Sequence, residues 1–287
     1  METETKGLVL RLRLMDKSLD GRIRCGHQSS SSIAYKIPRT MLNKCNDNDD
    51  FEKAGIYFLF GTDENDYPTV YVGQASERKN GKGGMQRISE HLKDKNYWKE
   101  VIFITHANNI LGSTQLCYLE NFFYNQTKQA KRYIVLNKVE PVSGNPSEDD
   151  ILELEDFIYC SKIMIGILGH KVFEKLSESY PKKSVLKIET KSGRGKGYRT
   201  SDGFVLLEGS VINGSMVKSC PYNVVILREK YKDKINNKNT TTEDILFSSP
   251  SAAACFVTGN STNGYAAWKD SSNRTLKEIE EEYNKQT

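Results

Sequence analysis

Five side chains with versatile chemistry lie between residues 55 and 120, within a stretch that is otherwise rich in apolar residues. They are two phenols, a guanidinium, an imidazole and a carboxylate: Tyr57, Tyr71, Arg87, His91 and Glu120. Arg87 and His91 are four residues apart, so on a helix they project from one face. Tyr57 and Tyr71 fall on two consecutive apolar runs, and neighbours on paired strands approach within about 5 Å. We therefore expect these groups to converge in one cleft.

A set of this kind suits the hydrolysis of a phosphodiester. An arginine fork stabilises the charge that develops on the non-bridging oxygens, and a phenol or imidazole orients the attacking water and accepts its proton. A single carboxylate, together with waters and a substrate phosphate, is a normal environment for Mg²⁺. The metal neutralises charge on the phosphate and helps to position the leaving oxygen. The sequence thus predicts a metal-dependent phosphodiesterase that uses Mg²⁺ or Mn²⁺.

Local patterns predict the elements that position these groups. Residues 55–61 (GIYFLFG) and 69–73 (TVYVG) are apolar runs of strand length, which indicates a hairpin with a long loop. Residues 85–93 carry apolar side chains at helical spacing, and residues 101–105 (VIFIT) predict a third strand.

Glu120 belongs to a further predicted helix. Ser113 is a suitable N-cap for a helix that extends to about residue 128, with Leu116, Leu119 and Phe123 as its core stripe. Glu120 lies at the edge of that stripe and not on the polar side. Since a carboxylate is costly to bury unpaired, we expect it to have a partner.

The segments on either side of this region indicate further modules. Residues 7–15, 21–25 and 32–37 have the patterns of short strands, so residues 1–50 are predicted to form a β-rich N-terminal extension. Ser147, followed by three acidic residues, predicts a helix start, and a second apolar piece at 163–168 predicts that residues 147–168 form a helical pair. Residues 51–180 would then form one domain.

From residue 181 the composition becomes basic. Residues 182–199 contain seven basic side chains and one acidic side chain, and the glycine-rich part, KSGRGKGYR, predicts a mobile loop able to lie along a phosphate backbone. We interpret 181–199 as a basic linker, with a solubilising spacer as the alternative. Residues 200–287 are predicted to form a second, smaller α+β module, with Trp268 as a core anchor and not as a base-stacking platform.

Overall composition narrows the class of protein. The 287 residues carry a net charge of only +4, so nucleic-acid binding has to come from local clusters of basic residues. The candidates are Lys191, Arg194 and Lys196 in the basic segment, with Lys79 and Lys82 in the loop before residue 84. No apolar run approaches the ~20 residues needed to span a bilayer, so no membrane partner is expected. The six cysteines include no CxxC pair, which favours reduced thiols in a cytoplasmic protein.

The order of these motifs resembles that of the GIY-YIG nuclease superfamily. The matching features are GIY at 55–57, YVG at 71–73, Arg87 with His91 four residues later, Glu120 on a later helix and Asn137 beyond it. The resemblance implies an α+β core with a small three-stranded mixed sheet flanked by helices. The early strands, the ILGHKVFE segment and residues 203–276 are similar to a bacterial subgroup of stand-alone members with an uncharacterised C-terminal module.

The resemblance also implies a role for each residue. Tyr57 would be the general base or the phenol that orients water, and Tyr71 would assist it or contact the scissile phosphate. Arg87 would stabilise the transition state, His91 would assist the nucleophile or the leaving group, and Glu120 would bind the metal. Asn137 would support the site. The expected activity is endonucleolytic cleavage, of DNA rather than RNA; Gln74 stands where a lysine is common in the repair enzymes.

Two alternatives remain open beside the DNA endonuclease. One is a nucleic-acid-binding protein that keeps the fold but cleaves nothing, and the other is a nuclease that cleaves RNA. Taken singly, most of the candidate residues also have structural interpretations, because tyrosine favours strands and an asparagine at a strand end often serves a turn. The sequence does not specify the oligomeric state.

Overall fold

The fold is described from a computed structural model, which describes residues 7–27, 30–64, 66–76, 83–94, 96–175, 185–217 and 220–286. The chain divides into two compact units, Met1–Lys175 and Leu176–Thr287, named here the N-terminal unit and the C-terminal unit. Each unit combines a sheet with helices, which confirms the predicted α+β class.

The described part of the N-terminal unit contains one seven-stranded mixed sheet in the order β1-β2-β3-β6-β4-β5-β7. Its strands are β1 (Leu10–Leu14), β2 (Ile23–His27), β3 (Ser32–Pro38), β4 (Gly55–Thr62), β5 (Pro68–Ala75), β6 (Trp98–His106) and β7 (Ile134–Val135). The sheet is therefore larger than the predicted three strands. The β-rich extension continues it, because β3 pairs antiparallel with β6.

The apolar run of β4 is explained by cover on both faces of the sheet. Ile56, Phe58 and Phe60 belong to one buried cluster, and Tyr57 and Leu59 belong to another. Successive side chains of a strand point to opposite faces, so a strand buried on both sides has no polar positions in its middle. We call the face that carries Tyr57 the tyrosine face.

In the described part of this unit, three helices cover the sheet: α1 (Gly84–Asp94), α2 (Ser113–Ala130) and α3 (Glu148–Ile167). Helix α1 contributes Met85 and Ile88 to the cluster on the tyrosine face, whereas α2 and α3 pack into the cluster on the other face. Short 3₁₀ helices span Arg39–Lys44 and Asp49–Phe51.

Helix α3 begins as predicted but does not break where a helical pair was expected. Ser147 and Asp150 form a reciprocal capping box, which satisfies backbone donors at the helix start. The predicted pair is wrong, since a single helix runs from Glu148 to Ile167. The Ser161 hydroxyl lies inside this helix and donates to the Phe157 carbonyl at 2.6 Å, so the polar residue in the middle of the segment does not interrupt it.

The described part of the C-terminal unit contains a four-stranded antiparallel sheet in the order β11-β10-β9-β8. Its strands are β8 (Leu186–Glu189), β9 (Arg194–Thr200), β10 (Gly203–Leu206) and β11 (Ile245–Phe247), and its helices are α4 (Tyr222–Lys230), α5 (Pro250–Thr258), α6 (Gly264–Ala267) and α7 (Leu276–Gln286). Trp268 is fully buried in the core of this unit and donates its indole N–H to the Pro250 carbonyl at 2.9 Å, which confirms its prediction as a core anchor.

The prediction of a mobile loop at residues 191–199 is wrong, because residues 194–199 belong to β9. The predicted linker, 181–199, also contains β8, and its residues 181–184 lie outside the described residues. The glycines of this segment serve packing. A Cβ at Gly195 would come 3.0–3.3 Å from side chains of Leu206, Val257 and Trp268, so the bare backbone lets the core approach the strand closely. None of the helices in the described ranges is both long enough and apolar enough to cross a membrane.

Candidate active site

Tyr57 and Gly73 are direct cross-strand partners on β4 and β5. Glycine is required at this position because the Tyr57 ring lies over it. A Cβ at residue 73 would overlap the hydroxyl and the adjacent ring carbon of Tyr57 and would come 2.8 Å from its Cε2 atom. Tyr71, two residues before Gly73, is a diagonal neighbour of Tyr57, with ring centroids 6.2 Å apart. The glycine thus makes the space in which the two phenols meet.

His91 joins the two tyrosines from α1. Its Nε2 atom lies 2.8 Å from the Tyr57 hydroxyl, and its ring centroid lies 5.3 Å from that of Tyr71. Tyr57 and His91 are both buried, at 1% and 7% exposure. Burial, together with the nearby Tyr71 phenol, raises the pKa of Tyr57 strongly. The raised pKa keeps the proton on the phenol, and the phenol donates to Nε2 in the tautomer of His91 that leaves this nitrogen unprotonated.

Glu120 lies beside Gln74, at an open edge of the sheet. One edge of β5 is paired with β4 along its whole length, whereas on the other edge β7 pairs only with Thr69 and Val70, so the rest of that edge lacks a neighbouring strand. The Glu120 carboxylate accepts hydrogen bonds from both the side chain and the backbone amide of Gln74. Glu120 is on α2, which covers the face opposite the tyrosines, and its charge adds to burial in raising the pKa values of Tyr57 and Tyr71.

Asn137 completes the same edge. Its Oδ1 atom accepts from the Val72 amide at 3.0 Å, and its Nδ2 donates to the Val72 carbonyl at 2.7 Å. The asparagine side chain therefore imitates a strand residue and extends the pairing of β7 by one step. Val72 lies between Tyr71 and Gly73. Asn137 therefore fixes the backbone of the strand that carries Tyr71.

Arg87 supplies positive charge at the mouth of the group. Its guanidinium is hydrogen bonded to Glu90 at 2.8 Å, in a pair that is 44% and 39% exposed. Burial raises the pKa values of Tyr57, Tyr71 and Glu120, and the charge of Arg87 offsets part of that rise. A solvent-exposed ion pair of this kind contributes only about 0.3–0.5 kcal/mol. Arg87 is therefore held near the phenols but can exchange Glu90 for a phosphate.

The sequence analysis predicted six site residues. The structure brings Tyr57, Tyr71 and His91 together. Arg87 and Glu120 lie close enough to shift the pKa values of the two phenols, and Asn137 binds the Val72 backbone. Gln74 was noted in the sequence only as a departure from the pattern, yet it is the hydrogen-bond partner of Glu120. Its place on the α2 side of β5, next to the end of β7, depends on tertiary structure that no local pattern encodes.

The donor set can be tested against a metal. Among the described residues, no three His, Cys, Asp or Glu side chains are grouped to hold an ion. A closed zinc site, which needs four protein ligands, therefore does not fit. One carboxylate does fit Mg²⁺ or Mn²⁺ bound mainly through waters and a substrate phosphate. Burial raises the pKa of Glu120, and a cation beside it would offset that cost.

The predicted nucleic-acid contacts fall into two groups. Lys79 and Lys82 lie outside the described residues. Lys191, Arg194 and Lys196 are exposed, but they belong to the C-terminal unit, on β9 and on the turn before it. They therefore do not belong to the group around Tyr57, Tyr71 and His91 in the N-terminal unit, which is named here the tyrosine site.

His170 forms a second group of titratable side chains, on the opposite face of the same sheet. Its Nε2 atom lies 2.7 Å from Glu100 and its Nδ1 atom 3.1 Å from the Tyr133 hydroxyl. Its ring stacks on Phe60 with centroids 3.6 Å apart. Since both ring nitrogens are engaged by protein groups, this geometry gives His170 a structural role.

Comparison with known proteins adds one finding. Residues 186–280 match the family described as Domain of unknown function (DUF4357). This range covers nearly all of the C-terminal unit, from β8 into α7. Neither the curated proteins nor the solved structures contain a significant match to the chain.

Proposed function

We propose that the N-terminal unit is a metal-dependent endonuclease of the GIY-YIG type that hydrolyses phosphodiester bonds, with DNA as its substrate. The observation that carries this proposal is the convergence of two phenols, an imidazole, a guanidinium and a carboxylate at the open edge of β5. Two further points support it: their order along the chain resembles the superfamily pattern, and α1 and α2 lie on the two faces of the sheet.

In this mechanism Tyr57 orients the attacking water. Because burial raises the pKa of Tyr57, the phenol is a poor base by itself, and it can take a proton from water only as its own proton leaves. His91, 2.8 Å away, accepts that proton. As the water oxygen bonds to phosphorus, one P–O ester bond breaks and the leaving oxygen is protonated from solvent. Tyr71 stands beside Tyr57 and donates a hydrogen bond to the phosphate.

Arg87, and the metal that Glu120 would hold, stabilise the negative charge that develops on the phosphate. The guanidinium leaves its exposed pair with Glu90 and binds the non-bridging oxygens, where negative charge accumulates. Glu120, held by Gln74, would hold Mg²⁺ or Mn²⁺, which supplies Lewis-acid stabilisation of the phosphate when bound. Asn137 keeps β5, and with it Tyr71, in position.

The experiment incubates the purified full chain with labelled single- and double-stranded DNA and RNA, in Mg²⁺, in Mn²⁺ or in chelator. We expect cleavage of DNA only with metal. Glu120→Gln should abolish it while leaving the fold intact, because the carbonyl oxygen of the new side chain still accepts from the Gln74 amide. Tyr57→Phe should lower the rate at least ~10²-fold, and Arg87→Ala should lower turnover more than affinity.

Matched controls separate chemistry from folding. Glu153→Gln and Tyr159→Phe make the same changes at exposed positions of α3 and should keep wild-type rates. Binding without cleavage in every metal would contradict the proposal in favour of a silent binding protein. Cleavage of RNA alone would reassign the substrate, and full activity of Glu120→Gln would leave the carboxylate only its structural role at the sheet edge.

A further inference from the structure

The sheet of the C-terminal unit carries a row of lysines on three neighbouring chain segments. Lys196 on β9 is the register partner of Lys187 on β8. Lys187 is in turn bridged to Lys269, with N–H···O bonds of 2.7 and 2.9 Å in both directions. Directly opposed residues of antiparallel pairs place their side chains on the same face. The three ammonium groups therefore project from one side of the sheet.

This side is the one away from the hydrophobic core of the unit. Along β8, Leu186 and Ile188 are buried while Lys187 is exposed, and Trp268, the residue before Lys269, is fully buried. On β9 the glycines at 195 and 197 face the core and Lys196 faces outward. The alternation that first resembled a flexible basic loop thus places glycine inward and positive charge outward.

The row is extended at the hairpin that joins β8 and β9. Arg194 is exposed beside Lys196, and Lys191 is exposed on the turn, which Thr190 and Gly193 close through a hydrogen bond of 2.8 Å. Two acids are close: Glu189 is the register partner of Arg194, and Glu208 lines the same groove of about 420 Å³ as Lys187 and Lys196. Counting both acids, the cluster remains net positive.

Four of the five positive charges of this row are not paired within the described structure, and the fifth, on Lys269, helps the hydrogen bonds from Thr275 to lower the pKa of Glu278. Lys187, Lys191, Arg194 and Lys196 make no ion pair with any described residue, whereas other basic side chains of the same unit do. The paired ones are Arg199, Lys232, Lys234, Arg274 and Lys277. Like charges directly opposite each other on paired strands destabilise a sheet by a few tenths to about 1 kcal/mol. An anionic ligand would reverse that cost.

We infer that this lysine row (Lys187, Lys196 and Lys269, with Lys191 and Arg194) binds the phosphate backbone of a nucleic acid, as a site separate from the tyrosine site. Adjacent strands are about 4.8 Å apart, so the row spans about 10 Å, which is the axial length of about three nucleotides of one strand. Lysines act as point charges and carry little geometric selectivity. The site therefore holds the backbone without reading the bases. By its charge alone the row would bind any polyanion. Only the choice of nucleic acid as that polyanion rests on the proposed function.

The test measures binding of the full chain to a labelled DNA duplex by fluorescence anisotropy, in chelator so that no cleavage occurs, at a series of salt concentrations. Lys187→Gln with Lys196→Gln should make the slope of log Kobs against log[salt] shallower by about 2, since each lost phosphate contact changes it by about 0.9. The control is Lys232→Gln with Lys277→Gln, which removes the same charge from exposed, ion-paired lysines elsewhere in the unit and should leave the slope unchanged.

The possible outcomes distinguish this site from the proposed nuclease. An unchanged slope in the first variant, or an equal change in the control, would overturn the lysine row. Tight binding of heparin together with no binding of DNA or RNA would overturn nucleic acid as the ligand. Cleavage tests the tyrosine site separately, because the lysine variants keep all of its residues. A shallower slope in a protein that never cleaves would support the row and contradict the nuclease.

Discussion

Replacing Gly73 with alanine should displace the Tyr57 phenol from its hydrogen-bonded position. The backbone of Gly73 is not in the left-handed region, so alanine is compatible with its backbone conformation and the substitution adds only a methyl group. That methyl would come 2.8 Å from Cε2 of Tyr57 and closer still to its hydroxyl, whereas ordinary carbon contacts lie at about 3.5–4.0 Å. The tip of the ring has to retreat by about 1 Å.

The surroundings leave little room for this movement. Tyr57 is 1% exposed and lies between Tyr71 and His91. A retreat of about 1 Å would stretch the 2.8 Å contact with His91 Nε2 beyond hydrogen-bonding distance. Overpacking costs about 1–3 kcal/mol, and a lost hydrogen bond adds about 1 kcal/mol. The free energy of unfolding should therefore fall by about 2–4 kcal/mol.

Two measurements check this expectation. Chemical denaturation gives the loss of stability, and ¹⁵N NMR of the imidazoles reports the His91 Nε2 hydrogen bond directly. The chain has only four histidines, so their signals can be assigned by substitution. If the proposed nuclease activity is present, its rate should fall about 10²-fold, which is the usual effect of a 1 Å misplacement.

Gly166→Ala is the matched control for Gly73→Ala. Gly166 lies within α3, and no atom lies within 4 Å of a Cβ added there. Alanine should stabilise the helix by up to about 1 kcal/mol and leave the His91 signal unchanged. A Gly73→Ala protein with wild-type stability and an intact Tyr57–His91 hydrogen bond would refute the steric reasoning.

Two further substitutions test the hydrogen bonds of Asn137 to the Val72 backbone and the ion pair of Asp16 with Arg22. Asn137→Asp replaces the Nδ2 donor with an acceptor facing the Val72 carbonyl, so the free energy of unfolding should fall by about 1–3 kcal/mol. Asn43→Asp makes the same change at an exposed position and is its control, and equal effects would argue against the strand mimicry. Asp16 binds the buried Arg22 at 3.0 Å, which lowers the Asp16 pKa from 3.8 to about 2. A carboxyl whose pKa is depressed by folding stabilises the protein above pH ~4, and this contribution disappears as pH falls toward 2. Asp16→Asn should cost about 2 kcal/mol at pH 6, allowing for partial screening, and its deficit should shrink steadily between pH 4 and 2. A deficit that does not vary with pH would exclude the ion pair as its cause.

The parts of the fold that sequence predicts well are those determined by local patterns. The β4–β5 hairpin follows from two apolar runs with a polar loop between them, and the start of α3 follows from the Ser147 capping box. The pairing of β3 with β6 joins residues about 70 apart in the chain, and nothing in the separate strand patterns specifies it. The sequence patterns therefore did not predict that the N-terminal extension is part of the central sheet.

The errors have equally physical origins. In β9 glycine occupies the inward positions, so the usual mark of a half-buried strand, apolar residues at alternate positions, is missing. The period of two was nevertheless present in Arg194, Lys196 and Tyr198, and read with glycine as an inward residue it would have predicted a strand. At the candidate site the residue types were evident from the sequence. The place of Glu120 beside Gln74, at the edge of β5 that the short β7 leaves open, was not, because it depends on tertiary structure.

That shortness has a consequence for the behaviour of the protein in solution. A strand that ends a sheet presents unpaired amides and carbonyls, to which a foreign extended chain can add. Beyond β7, the Val72 backbone is occupied by the Asn137 side chain and the Gln74 amide by Glu120. The side chains of Asn137 and Glu120 thus block this edge against the addition of a strand from another molecule. A variant that removes both, even one made to study catalysis, should be examined first for aggregation.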